Sequence, residues 1–274
     1  VSIRLLNMDD EIHQVPLRSY QQILTLENTF SDMPKLQKLW WLLRKAQAEN
    51  LLYFYSDFNK TVVQALALID AETPAIIKSN LYIFQGLTFR RSAQYADSTI
   101  ILRKAMSIAK AEKLTYLFII AKQEIAYIKS LTELFELSLI EMQEAYLEAY
   151  SLKDDFLIAI INETYGAIYG YMKDYEKSIE YYQKALKTYE RLHYPSHVSE
   201  AIYGIAATYR YWQKYELSIR YFELYQDNLT YTPNTDISFF SAYGLGMTLA
   251  EKGDCLQAID VINRALTLNG LIDY

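Results

Sequence analysis

The sequence has few residues that cross-link chains or ligate metals. It has one cysteine and three histidines among 274 residues, so an intramolecular disulfide is excluded. His193 and His197 have the spacing of two metal ligands on one helix face, but Pro195 between them favours a loop. Cys255 lies in a register otherwise held by aromatic residues, which favours a buried packing thiol over a nucleophile. We therefore predict no metal and no cofactor.

Charge and hydropathy exclude two further classes of partner. The formal net charge is −6, whereas nonspecific nucleic-acid binding needs a basic face. No stretch reaches the roughly 18 uncharged apolar residues of a membrane-spanning helix, because the best candidate, residues 156–172, contains Asn162 and Glu163. The sequence begins at Val1 without a signal-like apolar segment, so we expect an excised or processed part of a longer protein. We predict no nucleic-acid partner and no membrane contact by this fragment, although the full-length protein is compatible with a membrane anchor.

Motifs of catalysis are missing as well. The sequence has no Walker motif, no G-x-S-x-G and no H-E-x-x-H. Gly244 and Gly246 form a G-x-G, but Leu249 stands where a dinucleotide fingerprint needs its third glycine, and no strand pattern precedes it. We predict that this fragment is not an enzyme.

The sequence is rich in internal repetition with a 40-residue period. Small residues recur in two registers, aromatic residues in a third and serines in a fourth. Recurring small residues mark close contacts between helices, and recurring aromatic residues mark where one repeat packs on the next. The registers are Ala46, Gly86, Ala126, Gly166, Ala206 and Gly246; Ala65, Ala105, Ala145, Ala185 and Ala265, with Tyr225 in place of the fifth alanine; Tyr55, Tyr95, Phe135, Tyr175, Tyr215 and Cys255; and Phe58, Ser98, Ser138, Ser178, Ser218 and Ala258.

Each period predicts two helices joined by a short turn. In residues 155–191, apolar side chains recur at helical spacing on both sides of a turn at Lys173-Asp174. Residues 16–30 predict one further amphipathic helix. The sequence thus predicts an all-α chain that forms a single solenoid of about six helix-turn-helix repeats over residues 1–274. Its parts are an N-terminal capping helix or half repeat at 1–34 and repeats at 35–74, 75–114, 115–154, 155–194, 195–234 and 235–274.

The fourth repeat resembles the tetratricopeptide (TPR) consensus. The residues that carry the resemblance are Tyr165, Gly166, Tyr169, Ser178, Tyr182 and Ala185. The resemblance covers about residues 36–269 and implies a right-handed α-α superhelix, a TPR-like solenoid. Two departures stand out: the period is 40 residues rather than about 34, and Tyr225 replaces a small residue, which predicts a local spread or kink.

A narrower resemblance lies in the last third of the chain. Residues 201–204, 208–212, 228–234 and 244–253 are similar to sensory segments of bacterial GGDEF diguanylate cyclases, in which TPR repeats precede a membrane helix and a cytoplasmic catalytic domain. The resemblance implies a non-catalytic sensor that relays ligand binding to a GGDEF domain outside this fragment, and so to cyclic-di-GMP signalling. It also implies a periplasmic location as part of an inner-membrane protein; the alternative is cytoplasmic.

The superhelix predicts where a ligand binds, because the first helix of each TPR repeat lines the concave groove. Side chains of these helices that packing does not need are rich in tyrosine, arginine and amides, the residue types that proteins favour in interfaces. Their alternating charge predicts a zwitterionic or mixed-charge peptide. The predicted ligand-binding residues are Arg44, Asn50, Asn80, Arg90, Gln123, Glu124, Tyr127, Glu163, Tyr171, Tyr203, Arg210 and Tyr243.

Several functions are compatible with such a groove. Besides the sensory module, which takes a peptide, a protein or a small molecule, the sequence permits a plain scaffold or co-chaperone. It also permits a relative of bacterial peptide-pheromone receptors, but residues 1–35 show no helix-turn-helix pattern of the kind that usually precedes the repeats in that family. The exposed C-terminal face after Leu268 also permits a homodimer.

Overall fold

A computed structural model describes residues 8–232 and 235–268, with backbone alone for residues 235–240 and 268. The described residues form helices and turns without a strand, which confirms the predicted all-α solenoid. The helices are α1 Asp9–Gln14, α2 Pro16–Leu24, α3 Lys35–Leu51, α4 Tyr55–Leu66, α5 Ala75–Arg91, α6 Tyr95–Ala111, α7 Thr115–Leu131, α8 Phe135–Leu152, α9 Asp155–Tyr171, α10 Tyr175–Leu192, α11 Pro195–Tyr211, α12 Tyr215–Asn228, α13 Thr235–Lys252 and α14 Cys255–Leu268, with 3₁₀ turns at Glu27–Asp32 and Leu229–Tyr231.

The helices form two layers. Each helix packs on the next one along the chain, as neighbours in a helical hairpin do. In addition, α3, α5, α7, α9 and α11 pack on one another in sequence and so form the continuous inner layer of the solenoid. The second helix of each pair lies on the outside, as α4, α6, α8, α10 and α12 do.

Helix starts recur every 20 residues, half the period seen in the sequence, from Lys35 to Cys255. Most turns share one geometry: a residue with left-handed φ follows the helix, and the next amide donates to the carbonyl five residues earlier, as from Gln94 to Phe89 at 2.9 Å and from Leu114 to Ala109 at 2.8 Å. This Schellman-type bond satisfies a helix-terminal carbonyl that would otherwise have no partner. The left-handed residues are Tyr53, Ala93, Lys113, Glu133, Lys153, Lys173, His193, Gln213 and Gly253.

The small-residue registers lie where paired helices touch. Tyr182 of α10 is wedged between two helix backbones: a Cβ built on Gly166 would lie 2.7 Å from its ring, and one built on Gly204 would lie 2.4 Å away. Glycine is required there because an ordinary Cβ contact is longer. The serine register adds a hydrogen bond at each step, from the serine hydroxyl to the carbonyl twelve residues earlier. These bonds are Ser98 to Gly86 at 2.7 Å, Ser138 to Ala126 at 2.6 Å, Ser178 to Gly166 at 2.7 Å and Ser218 to Ala206 at 2.9 Å.

Two positions, Tyr225 and Cys255, do not carry the residue type of their registers, and the structure places one of them in the interior and the other on the surface. Tyr225 is buried and its ring lies 5.4 Å from that of Tyr203; its helix α12 is only 14 residues long and ends in a 3₁₀ turn. Cys255 is exposed, so the prediction of a buried thiol is wrong. An aromatic residue of that register packs on the next repeat, as Tyr175 does on Trp212 with ring centroids 6.0 Å apart. Cys255 begins the last described helix, so no later described helix covers it.

The N-terminal part differs from the single helix predicted for residues 16–30. The helix that begins at Pro16 ends at Leu24 and gives way to a 3₁₀ turn. The hydroxyls of Thr25 and Thr29 donate to carbonyls three residues earlier, at 2.7 and 2.8 Å, and such bonds compete with regular helix geometry. The indole of Trp41 donates to the carbonyl of Ile23 at 2.8 Å and so ties α2 to α3.

Candidate functional site

The superhelix curves until α11 meets the turn between α3 and α4. The hydroxyl of Ser196 donates to the carbonyl of Leu51 at 2.7 Å, and that of Thr232 donates to the carbonyl of Leu52 at 2.9 Å. Tyr53 in turn donates its hydroxyl to the carbonyl of Ser196 at 3.3 Å. These residues are more than 140 positions apart in sequence. The inner helices therefore surround a lumen instead of lining an open groove.

The lumen has a cavity volume of about 1030 Å³, at the upper end of the range for ligand sites. Its walls come from α1, α3, α5, α7, α9 and α11. One part of the wall is apolar, because the inner helices place aliphatic and aromatic side chains there within their first three turns. These residues include Ile76, Ile83, Phe84, Ile120, Phe156 and Ile160.

A second part of the wall is charged. The Arg90 guanidinium lies 3.0 Å from a carboxylate oxygen of Glu124, and the pair neutralises itself. Arg90 also lies over the Tyr127 ring, 4.9 Å from its centroid. Arg91 lies over the Tyr55 ring at 4.0 Å and donates to the side-chain oxygen of Asn50 at 2.5 Å. Among the described residues, Arg91 forms no salt bridge, although the Glu200 carboxylate acts on it at longer range.

Two carboxylates, Glu163 and Glu200, face the same lumen, and the arginines of α5 act on them only at longer range. Glu163 accepts a hydrogen bond of 2.7 Å from the Tyr189 hydroxyl. Burial raises the pKa of Glu163 to about 8, and repulsion from Glu200 adds to this. Burial also raises the pKa of Glu200, against the nearby Tyr53 hydroxyl and the charges of Arg91 and Arg90, which lower it. The Glu200 residue is exposed, so solvent screening reduces the effect of burial on its pKa. Neither carboxylate forms a salt bridge within the described part of the chain.

The structure brings seven of the twelve predicted ligand-binding residues together. They are Arg44, Asn50, Asn80, Arg90, Gln123, Glu124 and Glu163, all on the cavity wall. Some already have partners: Arg44 forms a salt bridge with Asp9, and the amide of Gln123 donates to the Thr164 hydroxyl at 2.9 Å. Internal contacts thus hold part of the polar surface of the lumen in place.

The other five predicted residues lie outside this cavity. Tyr127 and Tyr171 pair with each other, with ring centroids 6.5 Å apart. Arg210 lies 3.6 Å from Glu251, and Tyr243 is exposed. Tyr203 packs its edge against Phe222 at 5.7 Å. The contact between α11 and the turn that joins α3 to α4 closes the lumen. Residues further along α11 and residues of α13 therefore lie outside the cavity.

Sequence reasoning missed several residues of the lumen wall. Asp9, Asp10 and His13 come from α1, which was treated as part of a cap. Glu200 could have been found, because it shares the phase of Asn80 in the 40-residue register. The α1 residues carry no such signal, since they lie outside the repeats.

Comparison with known proteins supports this fold. Residues 157–230 match the sequence model of the tetratricopeptide repeat family. A Rap protein complexed with Competence and Sporulation Factor shares 17% identity at a TM-score of 0.70, over 97% of this chain and 75% of that one. NprR in complex with its cognate peptide NprX shares 14% sequence identity at a TM-score of 0.60, over 97% of this chain and 76% of NprR. The apo form of RapI shares 15% sequence identity at a TM-score of 0.54, over 91% of this chain and 68% of RapI. None of the curated proteins compared with this sequence matches it.

The chain is therefore a TPR-like α-solenoid, with a tetratricopeptide match in its central repeats. At these identities the solved structures establish the fold alone. They give no support to the narrower resemblance to GGDEF-linked sensors. Within the described residues, no helix is both long and apolar enough to cross a membrane. The same residues gather no group of three histidine, cysteine or acidic side chains that could hold a metal ion.

Proposed function

We propose that this chain is an interaction module that binds a short peptide of mixed charge in its lumen. The observation that carries the proposal is the composition of the cavity wall: an apolar region next to charges of both signs that have no ion-pair partner among the described residues. Charges that line a concave site without an ion-pair partner favour a ligand of complementary charge.

Each part of the wall has a suitable role. Arg91 offers a planar guanidinium to a peptide carboxylate, the geometry in which arginine binds best. Glu200 offers negative charge to an ammonium or guanidinium group of the same peptide. The positive charge of that group also favours the ionised form of Glu163, whose pKa is raised to about 8 in the free protein. The apolar wall takes aliphatic or aromatic side chains.

Amide side chains supply a third kind of contact. Asn50, Asn80 and Gln123 lie on three successive inner helices and line the same cavity. An amide offers both a donor and an acceptor, so it can pair with a peptide backbone whatever the peptide's side chains. Apolar contact supplies affinity, while the charges and amides fix direction and register.

The comparisons favour a peptide receptor over the GGDEF-linked sensor. NprR was solved with its cognate peptide and the Rap protein with Competence and Sporulation Factor, and both resemble this chain over nearly its whole length. Relay of binding to an output domain outside this fragment remains part of the proposal, since binding that stiffens the solenoid is felt along every repeat.

The test is fluorescence polarisation with labelled heptapeptide pools that differ only in charge: mixed, uniformly acidic, uniformly basic and neutral. We expect saturable binding of the mixed pool, weakened about tenfold or more by Glu163→Gln with Glu200→Gln. The control is Glu216→Gln on the outer helix α12, which should leave affinity unchanged. Equal affinity for all pools, or an unaffected double variant, would contradict the proposal.

A further inference from the structure

Helix α1, residues Asp9–Gln14, forms one side of the lumen wall, next to the contact between α11 and the turn after α3, and is called the clasp below. It contacts α11 across a sequence separation of 184 residues. The Tyr194 hydroxyl donates to a carboxylate oxygen of Asp10 at 2.6 Å. Nδ1 of His13 lies 3.3 Å from Nε2 of His197, within hydrogen-bonding distance. The ring of His13 stacks on Tyr194, with centroids 5.0 Å apart, and tilts against Phe156 at 5.1 Å.

We propose that the clasp is proton-sensitive: the neutral histidine pair holds α1 against α11, and protonation of the pair releases it and opens the lumen. Regulation of a ligand in this way rests on the proposed function, but opening of the clasp does not depend on a ligand.

The chemistry of imidazole is the reason. A hydrogen bond between two ring nitrogens needs one ring to donate an N–H and the other to accept it. A doubly protonated pair has no acceptor nitrogen, and it places two positive rings against each other. A closed clasp therefore excludes the second proton, while an open one accepts it.

The groups around the pair set the direction of the effect. Asp9 and Asp10 lie on the clasp itself and favour protonation of His13, and Arg44 on α3 opposes it. Asp9 is paired with Arg44, which reduces the influence of both. From the other elements, Tyr189 of α10 packs on His197 with centroids 4.9 Å apart, Tyr194 stacks on His13, and Asp154 lies on the same wall. The phenols are neutral near pH 7, so these groups do not outweigh burial.

Burial dominates at both histidines. It lowers the pKa of His13 from 6.5 to about 4 despite the two aspartates. It also lowers the pKa of His197, and the neighbouring His13 lowers it further. Since the closed state has the lower pKa, closure is favoured above pH 6.5 and weakens as the pH falls from 6.5 towards 4.

The size of the effect follows from these values. At pH 5 a histidine with a pKa of 6.5 in the open state and about 4 in the closed state shifts the equilibrium about 30-fold towards opening. His13 is only half-buried, which reduces the effect of burial on its pKa. We therefore expect a shift of about 10- to 30-fold between pH 7.5 and pH 5.

The experiment is hydrogen–deuterium exchange of the ligand-free protein at both pH values, corrected for intrinsic exchange. Peptides covering residues 9–14 and 195–200 should exchange about 10- to 30-fold faster at pH 5, while circular dichroism shows unchanged helix content. His13→Gln with His197→Gln should abolish the pH dependence, because glutamine amides hydrogen-bond at either pH. His193→Gln is the matched control: this third histidine is exposed, and its loss should leave the pH dependence intact.

Two results would overturn the proposal that the clasp is proton-sensitive. One is equal protection of residues 9–14 at both pH values in the wild-type protein; the other is a pH dependence that survives in the double variant. If the double variant does not fold, NMR titration of the wild-type imidazoles decides the question, since two of the three histidines must titrate well below pH 6. Because no peptide is added, failure of the clasp and failure of peptide binding are distinguishable.

Discussion

Gly204→Ala tests the helix packing that shapes the solenoid. An alanine Cβ at this position would lie 2.4 Å from two ring atoms of Tyr182. The ring has no room to retreat, because on its other side it already lies against Gly166, where a Cβ would meet it at 2.7 Å. Overpacking of this kind costs about 1–3 kcal/mol, and replacing a helical glycine by alanine returns about 1 kcal/mol. Because the ring is confined on both faces, the cost should lie in the upper part of this range, about 2–3 kcal/mol, and the expected net loss is about 1–2 kcal/mol.

The measurement is urea unfolding at 25 °C followed by circular dichroism, with a thermal scan as a second readout. A loss of this size lowers the Tm by roughly 2–8 °C for a chain of this length. The matched control is Gly170→Ala, where the nearest atom to the new Cβ, the Ser178 hydroxyl oxygen, is 3.2 Å away. We expect this control to change stability by less than about 1 kcal/mol.

A rescue experiment separates the clash with Tyr182 from other causes. Tyr182→Leu removes the ring, so it should cost less in the Gly204→Ala protein than in the wild type, and the difference is the coupling free energy of the pair. The reasoning is refuted if Gly204→Ala is as stable as Gly170→Ala, or if the double-mutant cycle shows no coupling.

Two further predictions concern the turns and the lumen. Lys173 has a left-handed φ of 64°, a conformation that glycine adopts without strain, so Lys173→Gly should stabilise the protein by up to about 1 kcal/mol. The stabilisation should appear as a higher urea midpoint. As a control, Lys187→Gly inside α10 should destabilise the protein by a similar amount. Burial raises the pKa of Glu163 from 4.5 to about 8, so the folded protein keeps the Glu163 proton to a higher pH than the unfolded chain does. This residue should therefore make the free energy of unfolding fall as the pH rises from 4.5 to 8. Glu163→Gln should flatten that slope in urea titrations, and an unchanged slope would mean that Glu163 is not buried in solution.

Local regularity is the part of this protein that the sequence predicts well. A packing position repeats when the contact repeats, so the small-residue and serine registers appear directly as helix contacts and as the bonds from Ser98, Ser138, Ser178 and Ser218. Cys255 is an exception, because a position in a register is buried only if a neighbouring repeat covers it.

The candidate site was predicted in part for the same reason. Residues such as Asn80, Gln123 and Glu163 follow from the inner-helix phase, which each repeat sets locally. Tyr203, Arg210 and Tyr243 share that phase but lie outside the cavity. Membership depends on how far the superhelix turns per repeat, and small differences in helix packing accumulate over several repeats.

The sequence alone determined the helices, their pairing and the inner face, because these depend on spacing within about 40 residues. Only the tertiary structure decided that the solenoid closes on itself. The contacts that close it, Ser196 with Leu51 and His197 with His13, join residues more than 140 positions apart and recur nowhere in the repeat pattern. Closure is the sum of many small rotations between repeats, and that sum places three residues of an N-terminal helix in the wall of the lumen.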